Sequence, residues 1–334
     1  MKFVIGIEST AHTFGVGLAS IDGKIIEDFS DQYKPEKGGI HPREASEHHV
    51  KVADILIAKA FKRVKELNGE IVAIGFSRGP GLGPCLRIGA TVARALAYYL
   101  NVPLYGVHHG VAHIEIGKKL TGGKDPLTIL VSGGHTMIVA LQGGRYRIFG
   151  ETLDISLGNL IDMFMREAGY SSPAGPLCEK FASETDEFIE LPYIVKGTDL
   201  SYSGLFTMAV KKYKELISRG VEKSKAIRIL CRSLQEIAFS MLVEVSERAL
   251  AHTKKKEIMI VGGVSANKRL QNMLKYIANE HGAKLLIPSK WHGDNGAMIA
   301  WTTVLHYKYD KPLEIEKSSV IPLWRLDEVY IPWG

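Results

Sequence analysis

A chain of 334 residues with 46% hydrophobic and 23% charged residues is long enough for two globular domains with sizeable cores. A net charge of +6 permits a polyanionic partner without requiring one. Cys85, Cys178 and Cys231 are far apart and form no CxxC pair, which speaks against a zinc knuckle or a disulfide framework and fits a reducing, cytoplasmic setting. Glu8 and His12 interrupt the first apolar run, so no signal peptide is expected, and no uncharged window lacks the polar residues that exclude a membrane span.

The N-terminus reads as a hairpin: Phe3–Ile7 is apolar, Glu8–His12 is a polar break, and Thr13–Ala19 is apolar again. Gly23 turns into a short strand near Lys24–Ile26, and Ser30–Arg43, with two prolines and two glycines, reads as a long loop. Val52, Ile55, Leu56 and Ala60 recur at helical spacing and predict one long helix over Glu44–Leu67, with His41, His48 and His49 at its start. Ile71–Phe76 is a buried-strand run. The following Ser77–Pro84, rich in Gly and Pro, reads either as a phosphate cradle or as a tight structural turn; it matches neither GxxxxGK[ST] nor GxGxxG. A helix is predicted from Leu86 to Leu100 and a strand over Leu104–Val107.

In the next helix His109 and His113 stand at i and i+4, one turn apart on one face. Two neutral imidazoles there can share a metal ion, or simply line a cleft. The HExxH motif of zincin proteases has Glu after its first His, and Gly110 occupies that place here, which argues against peptide hydrolysis by that route. Gly122–Pro126 has linker character and marks a domain boundary.

Leu127–Leu141 repeats the N-terminal hairpin: an apolar run to Val131, a break at Ser132-Gly133-Gly134, then His135-Thr136 and a second apolar run. The two His-Thr pairs, His12-Thr13 and His135-Thr136, predict a duplicated domain with the breaks facing across a cleft. Two adjacent glycines let backbone N–H groups approach an anion. After Arg145–Phe149, a helix to Ala168 carries Asp162, a solvated or ion-paired carboxylate on its own. Glu179 follows Gly175 in the first turn of another helix, where a carboxylate suits the dipole or would meet ligand hydroxyls. Tyr202–Leu216 and Ser224–Leu250 read as helices. Their Lys211, Lys212, Lys214, Arg219, Lys223, Lys225, Arg228 and Arg232, with Lys254–Lys256 nearby, form a candidate phosphate-backbone surface. Glu257–Val261 is a strand, Gly262-Gly263 leads to Asn267 at a helix start, and Leu285–Ile287 is a last buried strand. Asp294 or Asn295 caps the final helix, or Asp294 completes a three-ligand metal site with His109 and His113. The aromatic tail Val320–Gly334 is expected along the first domain.

Together these motifs resemble, nearly end to end, the universal tRNA threonylcarbamoyladenosine transferase family, whose archaeal and eukaryotic members are the catalytic subunit of the KEOPS complex. The matches are Gly6–Thr13, Gly79–Leu82, His109–Glu115, Val131–Thr136, Glu151–Asp154, Gly262–Asn267 and Asp294–Ala300. The resemblance implies an α/β actin-like fold: two duplicated ribonuclease-H-like domains, 1–124 plus 300–334 and 125–299, around a nucleotide cleft. It implies one divalent metal, iron or zinc, held by His109, His113 and Asp294. It implies ATP or an adenylate held by Leu130, Val131, Ser132, Gly133, Gly134, Asp162, Gly175, Glu179 and Asn267. Two positions depart from the family pattern: Leu130 stands where many archaeal relatives have a metal-ligating Tyr, and Ala174-Gly175-Pro176 replaces Gly-Gly-Pro.

The implied reaction is transfer of threonylcarbamoyl from threonylcarbamoyl-AMP, supplied by a separate synthase, to N6 of adenosine 37 in ANN-decoding tRNA. Implied partners are the tRNA, a separate small kinase and the other KEOPS subunits, with no membrane. An actin-like ATPase or scaffold, and less so a metalloprotease, are the alternatives.

Overall fold

The computed structural model describes residues 1–35 and 38–334. Along β1 (Lys2–Glu8), Phe3, Ile5 and Ile7 face one core and Val4 the other, the period-2 alternation of a strand buried on both sides. β1 pairs antiparallel with β2 (Thr13–Ser20), and β2 antiparallel with β3 (Ile25–Gln32). β4 (Glu70–Gly79) and β5 (Leu104–His108) add in parallel on the other side, giving the order β3-β2-β1-β4-β5. The third strand is longer than its apolar residues suggest. It runs through Glu27, Asp28 and Asp31, because an edge strand needs only one buried face. The predicted Ser30–Arg43 loop therefore starts later, and its residues 36 and 37 lie outside the described residues.

The second half repeats the plan. β6 (Leu127–Val131), β7 (Thr136–Gln142) and β8 (Arg145–Glu151) form an antiparallel meander. After the two-residue β9 (Val195–Lys196) and β10 (Asp199–Leu200), β11 (Glu257–Val261) and β12 (Lys284–Leu286) join in parallel. The order β12-β11-β6-β7-β8 is that of the first sheet, with the same strand directions. β12 is only half buried, so the last strand is an edge rather than a core strand.

Helices α1 (Pro42–Glu66) and α2 (Gly83–Leu100) cover the outer face of the first sheet. On the second, α4 (Leu157–Glu167), α5 (Gly175–Ser183), α6 (Ser203–Ser218), α7 (Lys223–Thr253) and α8 (Lys268–Glu280) share one large core. The remaining two, α3 (His109–Thr121) and α9 (Gly296–Tyr309), lie between the sheets and cross over: each follows a strand of one sheet and packs on the other. Val111 and Ile114 of α3 pack on Leu130, Met259 and Val261 of the second sheet, while Ala300 and Val304 of α9 pack on Val4, Ala19 and Ala73 of the first. Ala112 and Ile116 then meet Ala297 and Met298.

Glycines in the first sheet make this approach possible. A Cβ on Gly6 would lie 2.0 Å from the Ala300 nitrogen, and one on Gly17 would lie 2.2 Å from Gly296 backbone, so α9 rests on bare strand backbone.

The tail starts where expected, with Ile321 N–H donating to the Arg78 carbonyl and the Pro322 carbonyl accepting from Gly81. It then leaves the first sheet. Leu326, Val329 and Ile331 pack with Tyr146 and Met259, and Tyr330 bridges Arg145 at the β8 edge, because that edge offers both an apolar face and unpaired backbone. No helix among the described residues is long and apolar enough to cross a membrane.

Candidate metal centre and nucleotide cleft

The start of α3 is fixed by a histidine. His108 Nδ1 accepts from the N–H groups of Gly110 (3.1 Å) and Val111 (3.3 Å), and Nε2 donates to the Trp324 carbonyl (3.2 Å). Only the neutral ring can do both, and burial holds its pKa down to about 3. In the unfolded chain the ring ionises near 6.5, so between these values the unfolded state binds more protons and stability falls as pH falls. His135 and His49, each lowered to about 4 by burial, act in the same direction. Thermal melts from pH 6.5 to 4.5 are expected to show Tm falling with acid, and less steeply in His108→Asn, which keeps a cap acceptor without titrating.

One turn further, His109 and His113 point together, with ring centroids 4.7 Å apart. Asp294, immediately before α9, reaches them across the sheet interface: its Oδ1 is 3.5 Å from His109 Nε2 and 3.2 Å from His113 Nε2. Asn295, not Asp294, is the α9 cap, accepting from Met298 N–H at 2.8 Å, which frees the aspartate to face inward. Candidate donor atoms of the three residues lie within 4.8 Å of one another, the one such three-residue cluster among the described residues. Two imidazoles and a carboxylate converging from two elements suit a divalent ion with open positions.

Behind His109 stands Glu8, fully buried at the end of β1, its Oε2 3.1 Å from His109 Nδ1 and its Oε1 accepting the Thr10 N–H at 2.6 Å. This partner was not singled out as a site residue, although a carboxylate closing an otherwise apolar strand is the signal that marks it. It fixes the tautomer, with Nδ1–H donated to Glu8 and Nε2 left to bind. Burial alone would lower the His109 pKa, but Glu8 and Asp294 outweigh it and raise it to about 9. Burial likewise would raise Asp294, yet the adjacent His109 and His113 hold it well below the usual carboxylate range. His135, centred 6.2 Å from His109, is a second neighbour not predicted as a site residue, though its His-Thr pair was visible.

The glycine break leads away from this cluster. The Ser132 N–H closes the hairpin to His135 O at 2.8 Å, and Ser132 Oγ accepts from Gly134 and His135 N–H. Side chains added at Gly133, Gly134 or Gly175 would meet nothing within 4 Å, so the backbone there borders open space. Gly158, at the start of α4, has no such room: a Cβ would lie 2.6 Å from the Ser132 carbonyl oxygen. One turn on, Asp162 accepts the Ala174 N–H at 2.8 Å and so sets the start of α5; burial raises its pKa. Glu179 in α5 accepts the Lys268 N–H at 2.7 Å. Loop, α4, α5 and the start of α8 thus form one connected wall.

Other predicted residues are committed to the scaffold. Leu130 and Val131 are buried, with backbones paired to Met137 and Thr136; Leu130 packs near Gly110 and has no polar atom to offer a metal. Asn267 caps α8 through Leu270 N–H (3.1 Å) and donates its amide to Gln235 (2.7 Å), so its side-chain polar groups are engaged within the protein. The Ser77–Pro84 segment is a structural turn: Leu82 N–H donates to Thr10 O at 2.7 Å, and a Cβ on Gly79 would lie 1.9 Å from Ile321 O. Asp154 binds the backbone and hydroxyl groups at the start of α6.

Solved structures share this architecture. Full-length HypF in the phosphate- and nucleotide-bound form superposes with a TM-score of 0.62 at 12% identity, over 92% of this chain and 46% of that one. The activator of the 2-hydroxyisocaproyl-CoA dehydratase from Clostridium difficile with bound ADPNP gives 0.52 at 9% identity, over 92% and 97%. At these identities the likeness shows the fold, which is actin-like.

Sequence relatives are far closer. A tRNA N6-adenosine threonylcarbamoyltransferase from Caldivirga maquilingensis is 50% identical over 99% of this chain and 98% of its own length. One of the same description from Staphylothermus marinus is 48% identical over 98% and 99%. A "Probable bifunctional tRNA threonylcarbamoyladenosine biosynthesis protein" from Methanothermobacter thermautotrophicus is 49% identical over 98% of this chain, which spans 60% of that longer relative. The family model for tRNA N6-adenosine threonylcarbamoyltransferase matches residues 24–301, and with these relatives it establishes that the chain belongs to that family.

Proposed function

We propose that this chain transfers the threonylcarbamoyl group from threonylcarbamoyl-AMP to N6 of adenosine 37 in ANN-decoding tRNAs. The observation that carries the reading, within a chain of this family, is the convergence of His109, His113 and Asp294 beside the open Ser132–Gly134 loop. A divalent ion at that cluster, iron(II) before zinc, would supply Lewis-acid polarisation of the carbamoyl carbonyl.

The remaining work falls to the chain itself. Gly133, Gly134 and Gly175 border the space for the adenylate, with Asp162 and Glu179 holding the wall around it. The N6 amine attacks the carbamoyl carbon, the bond from that carbon to the phosphate oxygen breaks, and AMP leaves. An exocyclic amine is a weak nucleophile, so orientation supplies much of the rate. N6 sheds one proton in this step. His135, kept neutral by its burial, is available to take it.

On this reading the chain works in the cytoplasm with tRNA, a separate small kinase and other KEOPS subunits, and takes its adenylate from a separate synthase. The division into 1–124 plus 300–334 and 125–299 is supported by sheet membership, although α3 and the end of the tail pack across it. The transferase and ATPase readings separate in one assay. With threonylcarbamoyl-AMP and tRNA, the transferase releases one AMP per modified adenosine and needs no ATP. ATP turnover with no change to the tRNA would overturn the proposal.

A further inference from the structure

The two basic regions of the second half differ in whether carboxylates are interleaved with their charge. In the α6–α7 run, Lys212, Lys225, Arg228 and Arg232 are tied to Glu215, Glu187, Glu184 and Glu236, while Lys211, Lys214, Arg219 and Lys223 have no ion-pair partner among the described residues. At the other edge of the sheet, Lys256, Lys275 and Lys284 are exposed and have no ion-pair partner among the described residues. They line a groove of about 660 Å³ with Asn279, Gly282, Ala283, Leu285 and Ile287, and no carboxylate lines it. The Lys284 N–H donates to the Lys256 carbonyl at 2.9 Å, which fixes two of the lysines on adjoining strand starts.

We propose that this groove binds the phosphate backbone of the RNA substrate, an inference that rests on the transferase reading. The groove lies where β11 and β12 start, at the end of the second sheet opposite the Ser132–Gly134 loop, and α8 joins the two ends. α8 begins at Lys268, whose N–H is held by Glu179 in the nucleotide wall, and it runs toward the groove. Lys275 lies two turns on, about 10 Å along the axis on the same face as Lys268, so the helix carries positive charge from cleft to groove. Tyr276 beside it is 68% exposed and offers a face on which a base can stack. The carbonyl end of α8, which would repel an anion, is covered by its own turn: the N–H groups of His281, Gly282 and Ala283 donate to Ile277, Asn279 and Ala278. Unpaired lysines release counterions when they meet phosphates, whereas the paired α7 residues would first have to leave their carboxylates.

The test uses the full chain and a labelled ANN-decoding tRNA, with anisotropy followed over roughly 50 to 300 mM salt. Combined Lys256→Gln, Lys275→Gln and Lys284→Gln is expected to weaken binding about tenfold near 0.1 M salt and to flatten the log–log salt slope by about 2. KM for tRNA should rise by the same factor, with kcat unchanged. Lys225→Gln, Arg228→Gln and Arg232→Gln together should change affinity by no more than about threefold. If wild type binds and modifies tRNA while the groove variant keeps its affinity and slope, the groove is excluded and the transferase reading stands. If wild type neither binds nor modifies tRNA even with the partner subunits added, both fall.

Discussion

Asp294→Ala is expected to strip the chain of bound divalent metal and to lower threonylcarbamoyl transfer at least a hundredfold, while Tm moves by only a few degrees. Removing an outer partner of a metal ligand already costs 10- to 100-fold in affinity or activity, and here one of three converging ligands is lost. The fold survives because Asn295 caps α9 and Asp28 accepts the Ala297 N–H at 3.0 Å, so the helix start does not depend on Asp294. Metal content after gel filtration, read beside a melting curve, checks both halves. Full metal retention by the variant would show that the ion sits elsewhere. The raised His109 pKa adds a signature: binding at neutral pH must displace a proton from this ring, so metal affinity should climb as pH rises toward about 9.

Gly6→Ala is expected to be among the most destabilising single methyl additions in the chain. Its Cβ would fall 2.0 Å from the Ala300 nitrogen and 2.5 Å from Ala300 Cα, both backbone atoms of a buried helix that cannot step aside alone. Overpacking of this kind costs about 3 kcal/mol or more, a drop of about 6 °C or more in Tm. Gly133→Ala makes the matched control, since the added methyl meets nothing within 4 Å and Tm should hold. If Gly6→Ala melts like wild type, the direct seating of α9 on the first sheet is wrong, and with it the delivery of Asp294 to the histidines.

Much of this was legible because it is local. Apolar runs broken by glycine marked both hairpins, and equal strand order in the two sheets bears out the duplication they suggested. His109 and His113 at i and i+4 fixed a shared face before any tertiary information. Asp294 stood open between a helix cap and a third ligand until the family resemblance favoured the ligand, since nothing local says that a residue 181 positions from His113 will meet it. The Glu8–His109 pair was hidden for the same reason, as β1 and α3 touch only after the strands assemble. β3 was cut short because its second half is polar, as an edge strand can be. The engagement of Asn267 by Gln235 and the turn of the tail onto Tyr146 depend on surfaces made by other elements. Charge runs were the weakest guide: sequence shows where lysines and arginines cluster, not which of them a carboxylate has already taken.

The central claim is that the His109–His113–Asp294 cluster and the glycine loop serve one transfer to tRNA. It is tested most directly by incubating metal-loaded wild type and Asp294→Ala with threonylcarbamoyl-AMP, an ANN-decoding tRNA and the partner subunits, then digesting the tRNA and weighing its nucleosides. The account predicts threonylcarbamoyladenosine at position 37 with wild type and at most a hundredth as much with the variant. Equal product from both proteins, or none from wild type, would contradict it.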